Sequence, residues 1–257
     1  MTFLKVDRIQ HTYFTRDSAK TALEDISLTI EEGEFVSFLG PSGCGKTTLL
    51  SIIAGLLKPT EGQILIDGNP PNKEGPSIGY MLQQDYLFPW KTIEENVFVG
   101  LRTMKKYSSE NKEKTLDILK EMGLQGVEKS YPKQLSGGMR QRASLVRTLA
   151  TNPKILLLDE PFSALDYQTK LKLENLMVKT LKEYSKTALL VTHDIGEAIA
   201  MSDRIFLLSA NPGRIAETFT IPEELKKITP FEARQHSMYS TIFQQIWKEL
   251  DDLETKQ

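Results

Sequence analysis

The sequence has little of the residue types that mark secreted, membrane-spanning or nucleic-acid-binding chains. One cysteine, Cys44, stands among 257 residues, which excludes an internal disulfide and fits a reducing compartment. The longest apolar stretch, LLSIIAGLL, is under half of the roughly 20 residues that span a bilayer. No apolar signal-peptide core follows Met1. The net charge is -2, and no long Lys/Arg run occurs. We therefore expect a chain that does not cross a membrane by itself and binds no nucleic acid.

Two kinds of strand pattern are present. Apolar and polar residues alternate in ISLTI and QILIDG, which indicates antiparallel strands with one wet face. Continuous apolar runs occur in FVSFL, KILLLD and TALLVT, which is typical of parallel strands covered on both faces by helices. Ligands bind at the carboxyl ends of such strands, so the residues that follow them are the first candidates for chemistry.

Helical patterns occupy residues 92–150. TIEE is a capping box that opens TIEENVFVGL, a second helix is expected in SENKEKTLDILKEMGL, and a third begins at SGG and ends before Pro153. A hairpin is expected in RIFLLSANPGRIAETF, followed by two helix-prone segments. We predict an antiparallel β subdomain with the first part of a core (1–91), an inserted helical subdomain (92–150), the second part of the core (151–221) and a helical C-terminal extension (222–257).

The stretch GPSGCGKT satisfies the phosphate-loop pattern G-x-x-x-x-G-K-[ST] between a buried-type strand and a helix. Its glycines let backbone N–H groups approach phosphate oxygens, Lys46 supplies a point charge, and Thr47 is a candidate Mg²⁺ ligand. Cys44 is interpreted as a small side chain in this loop rather than a redox group. The candidate phosphate-binding residues are Gly40, Pro41, Ser42, Gly43, Cys44, Gly45, Lys46, Thr47 and Thr48.

Acidic and polar residues follow the other apolar strands. ILLLDE ends in Asp159, a candidate metal carboxylate, and Glu160, a candidate general base, although a strand end can also carry merely solvated acids. His193 follows TALLVT, where many histidines have only structural roles. A glutamine in MLQQDYLFPW could orient a water and bind a metal, or belong to a polar turn with a packed Trp.

The stretch LSGGMRQR presents a serine and two glycines at a predicted helix start, which is a second anion-binding arrangement. It has no lysine of the phosphate-loop kind. Such a helix start is incomplete alone but would complete a site supplied in trans.

With these motifs in this order, the chain resembles the ATP-binding subunit of an ABC transporter over nearly its whole length. The resemblance implies a P-loop NTPase with a RecA-like parallel-sheet α/β core, an antiparallel β subdomain and an inserted helical subdomain, binding ATP and Mg²⁺. It implies catalytic roles for Lys46, Gln83, Glu160 and His193, and metal ligation by Thr47, Gln83 and Asp159. Counting back six residues from Pro89 selects Gln83 over Gln84.

The same resemblance identifies SALD, residues 163–166, as the D-loop, with Asp166 at the nucleotide, and Tyr13 as the aromatic that stacks on adenine, with Phe14 as the alternative. It also implies a head-to-tail homodimer. In that dimer Ser136, Gly137 and Gly138 of one subunit close over the γ-phosphate held by the other.

Met139, LFPW and SANPGRI resemble the importer branch for nitrate, sulfonates, taurine and pyrimidine precursors. That branch implies a separate integral membrane permease, an extracytoplasmic solute-binding protein, and a peripheral position at the cytoplasmic face of the membrane. The alternatives are a cassette for lipid or lipoprotein export, a soluble ABC-type ATPase acting on nucleic acid, a P-loop kinase, and an inactive regulator. The segment after residue 222 is expected to pack on the core through apolar stripes rather than to form an effector site.

Overall fold

The computed structural model describes residues 2–71, 78–163 and 165–255. Its strands, in chain order, are β1 (Thr2–Phe14), β2 (Ala19–Glu31), β3 (Phe35–Leu39), β4 (Glu61–Ile66), β5 (Ile78–Met81), β6 (Ile155–Asp159), β7 (Thr187–Val191), β8 (Arg204–Leu208) and β9 (Ile215–Thr220). Its helices are α1 (Lys46–Ile53), α2 (Ile93–Val97), α3 (Val99–Thr103), α4 (Ser109–Glu121), α5 (Gly137–Leu149), α6 (Tyr167–Glu183), α7 (Ile195–Met201), α8 (Glu223–Lys226), α9 (Pro230–Ala233) and α10 (Ser237–Thr255).

The strands form two sheets of different character. An antiparallel sheet has the order β2-β1-β4, and a second sheet has the order β5-β6-β7-β3-β8-β9, parallel except for its last strand. Every residue of β3, β6 and β7 is buried, as their continuous apolar runs predicted. These three strands are neighbours, so their carboxyl ends place residues 40, 159–160 and 193 at one edge of the sheet.

The helices of residues 92–150 are confirmed with one difference. The Thr92 capping box is formed with Glu95, and α5 begins at Gly137 as expected. The stretch TIEENVFVGL is divided into α2 and α3 at Phe98, whose side chain is fully buried against the core. In α4, Leu119 is buried and Leu116 half-buried, so these leucines form the side of the helix that packs on the core.

Three buried clusters hold these layers together. One joins the helices α2–α6 to one face of the larger sheet, and includes Val97, Leu145 and Leu156. A second lies between the two sheets and α1. The inserted helices share a core with the larger sheet, so they pack on it as a layer. The subdomain boundaries at residues 91/92, 150/151 and 221/222 stay a prediction.

The third cluster attaches the C-terminal helices. Leu225 and Ile246 are buried against α7 and β8, and Phe243 and Leu250 are half-buried beside them, while Trp247 remains 57% exposed. The extension therefore packs on the core along most of its apolar stripe. No helix in the described ranges is long and apolar enough to cross a bilayer.

Candidate functional site

The loop between β3 and α1 has the backbone shape that its glycines allow. Gly43 and Gly45 have φ of +79° and +94°, and Gly45 is the N-cap of α1. A side chain at Gly45 would also meet Leu23 at 2.6 Å. The first N–H groups of α1 lack helical partners by geometry, so they are available to an anion held in the loop.

The ammonium of Lys46 lies inside this loop. It is buried and donates hydrogen bonds to the carbonyl oxygens of Gly40 at 2.7 Å and Pro41 at 2.9 Å. Cys44 is also buried, and burial raises the pKa of its thiol, so the neutral thiol is favoured. The cysteine therefore packs under the loop, which agrees with its interpretation as a small structural side chain.

Thr47 and Asp159 meet next to Lys46. The Thr47 hydroxyl donates to Asp159 Oδ1 at 3.2 Å, and Asp159 is only 7% exposed. Burial, together with the neighbouring charge of Glu160, raises the pKa of Asp159. A divalent cation would compensate that desolvated carboxylate. Mg²⁺ is commonly held by one or two carboxylates plus phosphate oxygens, so the Thr47 hydroxyl and the Asp159 carboxylate fit it. The described residues contain no group of three or more His, Cys, Asp or Glu side chains that could hold a metal, and Mg²⁺ bound to phosphates does not require one.

Glu160 collects two polar partners from different loops. Its Oε2 accepts a hydrogen bond from Gln83 Nε2 at 3.3 Å and lies 3.2 Å from His193 Nδ1. Glu160 has φ of +45°, which is unusual for a residue with a side chain, and its N–H is fixed by Val191 O at 2.9 Å. The structure thus brings together the three residues that the sequence nominated separately. The Gln83 amide bonds to Glu160 and Ser163, and within the described part of the chain it has no hydrogen bond to Asp159.

Lys46, Thr47 and Glu160 line a cavity of about 310 Å³, and their partners Asp159, Gln83 and His193 are not among its lining residues. Its lining combines the phosphate loop with residues outside it: Tyr13, Lys20, Thr21, Ala22, Ser42, Gly43, Gly45, Lys46, Thr47, Thr48, Glu160 and Asn211. The Tyr13 hydroxyl lies 3.1 Å from Thr48 Oγ1, whereas Phe14 is 72% exposed and does not line the cavity. Lys20 and Asn211 were not nominated by the sequence, although the Asn-Pro-Gly turn pattern marked the loop that carries Asn211.

The signature LSGG lies elsewhere in the chain. Ser136 is the N-cap of α5, its Oγ accepts from the N–H of Met139 at 3.3 Å, and Gly137 is the first helical residue. A side chain at Gly138 would lie 2.5 Å from Thr169, so this glycine permits the close approach of α5 and α6. Ser136 and Gly138 line a separate cavity of about 240 Å³ with Arg142 and Thr169. No signature residue lines the phosphate-loop cavity described above.

The predicted D-loop precedes α6. Asp166 is the N-cap of this helix and accepts from the N–H of Thr169 at 3.0 Å, and these hydrogen bonds hold the pKa of its carboxyl below the usual range. Ala164 lies outside the described residues. The loop therefore connects the Ser163 hydroxyl, next to Gln83, with the start of α6.

Arginines of α5 hold the loop that follows β5, and no motif in the sequence predicted them. Arg147 donates to the carbonyl oxygens of Asp85 and Tyr86, both at 2.7 Å, and Arg140 Nε lies 3.0 Å from the Asp85 carboxylate. Gln141 adds a bond to Pro161 O at 2.6 Å. The signature helix and the Gln83 loop are thus attached to each other, and no periodic pattern in the sequence signals such contacts.

Known proteins with similar sequences and folds place these motifs in context. The ABC transporter family profile matches residues 23–163. The chain is 64% identical over 257 residues to the uncharacterized ABC transporter ATP-binding protein YtlC of Bacillus subtilis (strain 168), covering 100% of this chain and 99% of that protein. It is 41% identical to the aliphatic sulfonates import ATP-binding protein SsuB of Bacillus licheniformis, covering 96% and 94%.

Among solved structures, a dimeric post-hydrolysis state of the ATP-binding cassette MJ0796 bound to ADP and Pi is similar, with a TM-score of 0.74 and 38% identity. The alignment covers 85% of this chain and 99% of that one. These matches point to the same family as the two-sheet fold and the phosphate loop beside Asp159 and Glu160. The chain belongs to the ABC transporter ATP-binding family and is an ABC-type ATPase.

Proposed function

We propose that this chain is the ATP-hydrolysing subunit of an importer that powers uptake of a small solute of the nitrate, sulfonate, taurine or pyrimidine-precursor kind. The catalytic part is supported by one observation: Lys46, Thr47 and Glu160 line the same cavity, and Asp159 is hydrogen-bonded to Thr47 beside it. In this proposal Glu160 is the general base, and Gln83 and His193 are held on the same carboxylate oxygen.

Each group has a separate task at the nucleotide. Lys46 exchanges its bonds to the loop carbonyls for the β- and γ-phosphate oxygens, and the N–H groups at the start of α1 hold the same oxygens. Tyr13, which lines the same cavity, stacks on the base. Thr47 and Asp159 would hold Mg²⁺, which supplies positive charge to the phosphates when bound. Glu160 accepts the proton of the attacking water, and Gln83 and His193 orient that water and the γ-phosphate.

The functional unit in this proposal is a head-to-tail homodimer. Within one chain, the helix start at Ser136 does not line the cavity that contains Lys46. A second copy related by twofold symmetry would supply its signature to each phosphate loop, and the dimeric MJ0796 cassette supports this arrangement. Donors from the opposite subunit would then stabilise the charge that develops on the γ-phosphate.

The permease contact is proposed at the loop between β5 and α2. Trp90 is 70% exposed, Tyr86 is 58% exposed, and the Phe88 and Trp90 rings lie 5.5 Å apart. Exposed aromatic side chains such as Tyr86 and Trp90 suit contact with a short apolar helix of a membrane partner. Since this loop is attached to α5 through Arg147 and also carries Gln83, movement at the nucleotide reaches the same surface. The cassette would thus lie at the cytoplasmic face, with a solute-binding protein on the other side.

The solute class rests on likeness to the sulfonate-import relative and on the LFPW and SANPGRI stretches. The test is reconstitution of this chain with the permease encoded beside it in lipid nanodiscs, with its solute-binding protein added. We expect ATP hydrolysis that rises several-fold with the binding protein loaded with an alkanesulfonate, taurine or nitrate. Hydrolysis that responds to none of these solutes, but to a lipid or lipoprotein substrate, would refute the import assignment while leaving the ATPase assignment intact.

A further inference from the structure

The loop that carries His193 is fixed on both sides of the histidine. The Thr192 hydroxyl donates to Glu197 Oε2, and the same hydroxyl oxygen accepts from the N–H of Asp194 at 3.0 Å. Asp194 in turn caps α7 by accepting from the N–H of Glu197 at 3.1 Å. His193 is thus the exposed residue between two anchored neighbours, and its own side chain is 64% exposed.

One ammonium group joins these anchors. Lys170 Nζ, from α6, lies 2.6 Å from Asp194 Oδ2 and 2.6 Å from Glu197 Oε1. The Lys170 side chain is 14% exposed and that of Glu197 is 5% exposed, so this pair is shielded from water, whereas the Asp194 side chain is 39% exposed. Without the ammonium, two close carboxylates would remain beside the loop with no compensating charge between them, and their repulsion would displace it.

The position of His193 matters because its Nδ1 lies only 3.2 Å from Glu160. The backbone of Glu160 is itself fixed to β7, so a displacement of the His193 loop would lengthen this contact. A shift of the loop by about 1 Å is enough to change a reaction rate about a hundredfold when the displaced group acts on the reacting atoms.

We propose that Lys170 is a positioning residue for ATP hydrolysis, which holds His193 against Glu160 through the bridge to Asp194 and Glu197. This inference rests on the proposed catalytic role of His193. Lys170 does not line the nucleotide cavity, and the ion pairs of its ammonium in the described part of the chain go to Asp194 and Glu197, so its removal should affect turnover and not ATP binding.

The test compares Lys170→Met, Lys170→Arg and the control Lys179→Met, which removes an exposed lysine from the same helix. We expect Lys170→Met to lower kcat by about tenfold to hundredfold with KM for MgATP within about twofold, and Lys170→Arg to recover most of the rate because it keeps the charge. Lys179→Met should match the wild type, since exposed ion pairs contribute little. In a His193→Ala background, Lys170→Met should add no further loss.

A second readout does not depend on activity. The chain has three histidines, so the side-chain nitrogen resonances of His11, His193 and His236 can be separated by NMR. Lys170→Met should shift or broaden only those of His193. Should Lys170→Met fail to fold, Lys170→Gln serves the same comparison, with thermal unfolding as the check.

The outcomes separate the two proposals. If His193→Ala hydrolyses ATP at the wild-type rate, the role of His193 is wrong. If His193→Ala is slow while Lys170→Met behaves like Lys179→Met, the role of His193 stands and that of Lys170 is overturned. Equal losses from Lys170→Met in both backgrounds would show that Lys170 acts by another route, and unchanged His193 resonances would overturn the positioning role as well.

Discussion

Glu174 gives a prediction whose size can be worked out from its surroundings. Its side chain is fully buried on α6, where Arg234 Nη2 donates to Oε1 at 3.0 Å and Arg234 Nη1 lies 2.7 Å from Oε2. Burial raises the pKa of Glu174 from 4.5 to about 7, against the opposing charge of Arg234, and Glu197 adds to the increase while Lys170 opposes it. The folded protein therefore binds a proton that the unfolded chain releases at lower pH.

The sign follows from that difference in proton binding. The contribution of Glu174 to the free energy of unfolding is fully present below pH 4.5 and is lost as pH rises to about 7. At about 1.4 kcal/mol for each pH unit, the interval corresponds to a loss of about 3 kcal/mol. Glu174→Gln keeps an oxygen for Arg234 but does not titrate, so this part of the pH dependence should disappear.

The measurement is urea unfolding of the wild type and Glu174→Gln at intervals between about pH 4.5 and 8, with each free energy extrapolated to water. The wild type should lose about 3 kcal/mol relative to the variant across the range. Glu249→Gln, at an exposed position on α10, should follow the wild type at every pH. A constant difference between wild type and Glu174→Gln, or one that changes in the opposite direction, would refute the reasoning.

Four further outcomes are expected. Glu160→Gln should bind ATP but hydrolyse it at least about a hundredfold more slowly and accumulate a dimer with MgATP in size-exclusion chromatography, so a strictly monomeric variant would contradict the shared site. Ser136→Arg should abolish turnover while the affinity of the monomer for a fluorescent ATP analogue stays within about twofold, and a large loss of that affinity would mean that the signature acts within its own chain. Trp90→Ala should leave the ATPase rate of the isolated chain unchanged and reduce co-purification with the permease, and equal recovery of the permease would exclude this contact. Gly138→Ala should destabilise the fold by about 1–3 kcal/mol in urea unfolding because its new methyl group meets Thr169, and wild-type stability would show that the helices separate easily.

The sequence predicted the site best where strong local patterns coincide with the sheet. Continuous apolar strands followed by chemically distinctive residues could be ordered along the chain, and parallel pairing then brought Glu160 and His193 to one edge. Capping patterns also located the starts of α2 and α5. These signals are short-range, so they do not depend on knowing which elements pack together.

The contacts that hold the site in place were not predictable in the same way. Lys170 and Asp194 are 24 residues apart, and Arg147 reaches Asp85 across 62 residues. Ion pairs of this kind leave no period in the sequence. Even the local pattern Asp-x-x-Glu at residues 194–197 suggests a reciprocal capping box, whereas the Glu197 side chain turns to Thr192 and Lys170.

Helix α6 carries its contacts along one face. Asp166 caps the helix, and the residues three, four and eight positions further on make its outside contacts. Thr169 meets the signature glycine, Lys170 the His193 loop and Glu174 the C-terminal Arg234. One residue inserted after Asp166 would rotate the rest of the helix by about 100° relative to that cap and point these side chains away together. The number of residues in this helix is therefore more tightly constrained than the identity of its exposed residues. Insertions and deletions in it should abolish turnover, whereas many substitutions at its exposed positions should not.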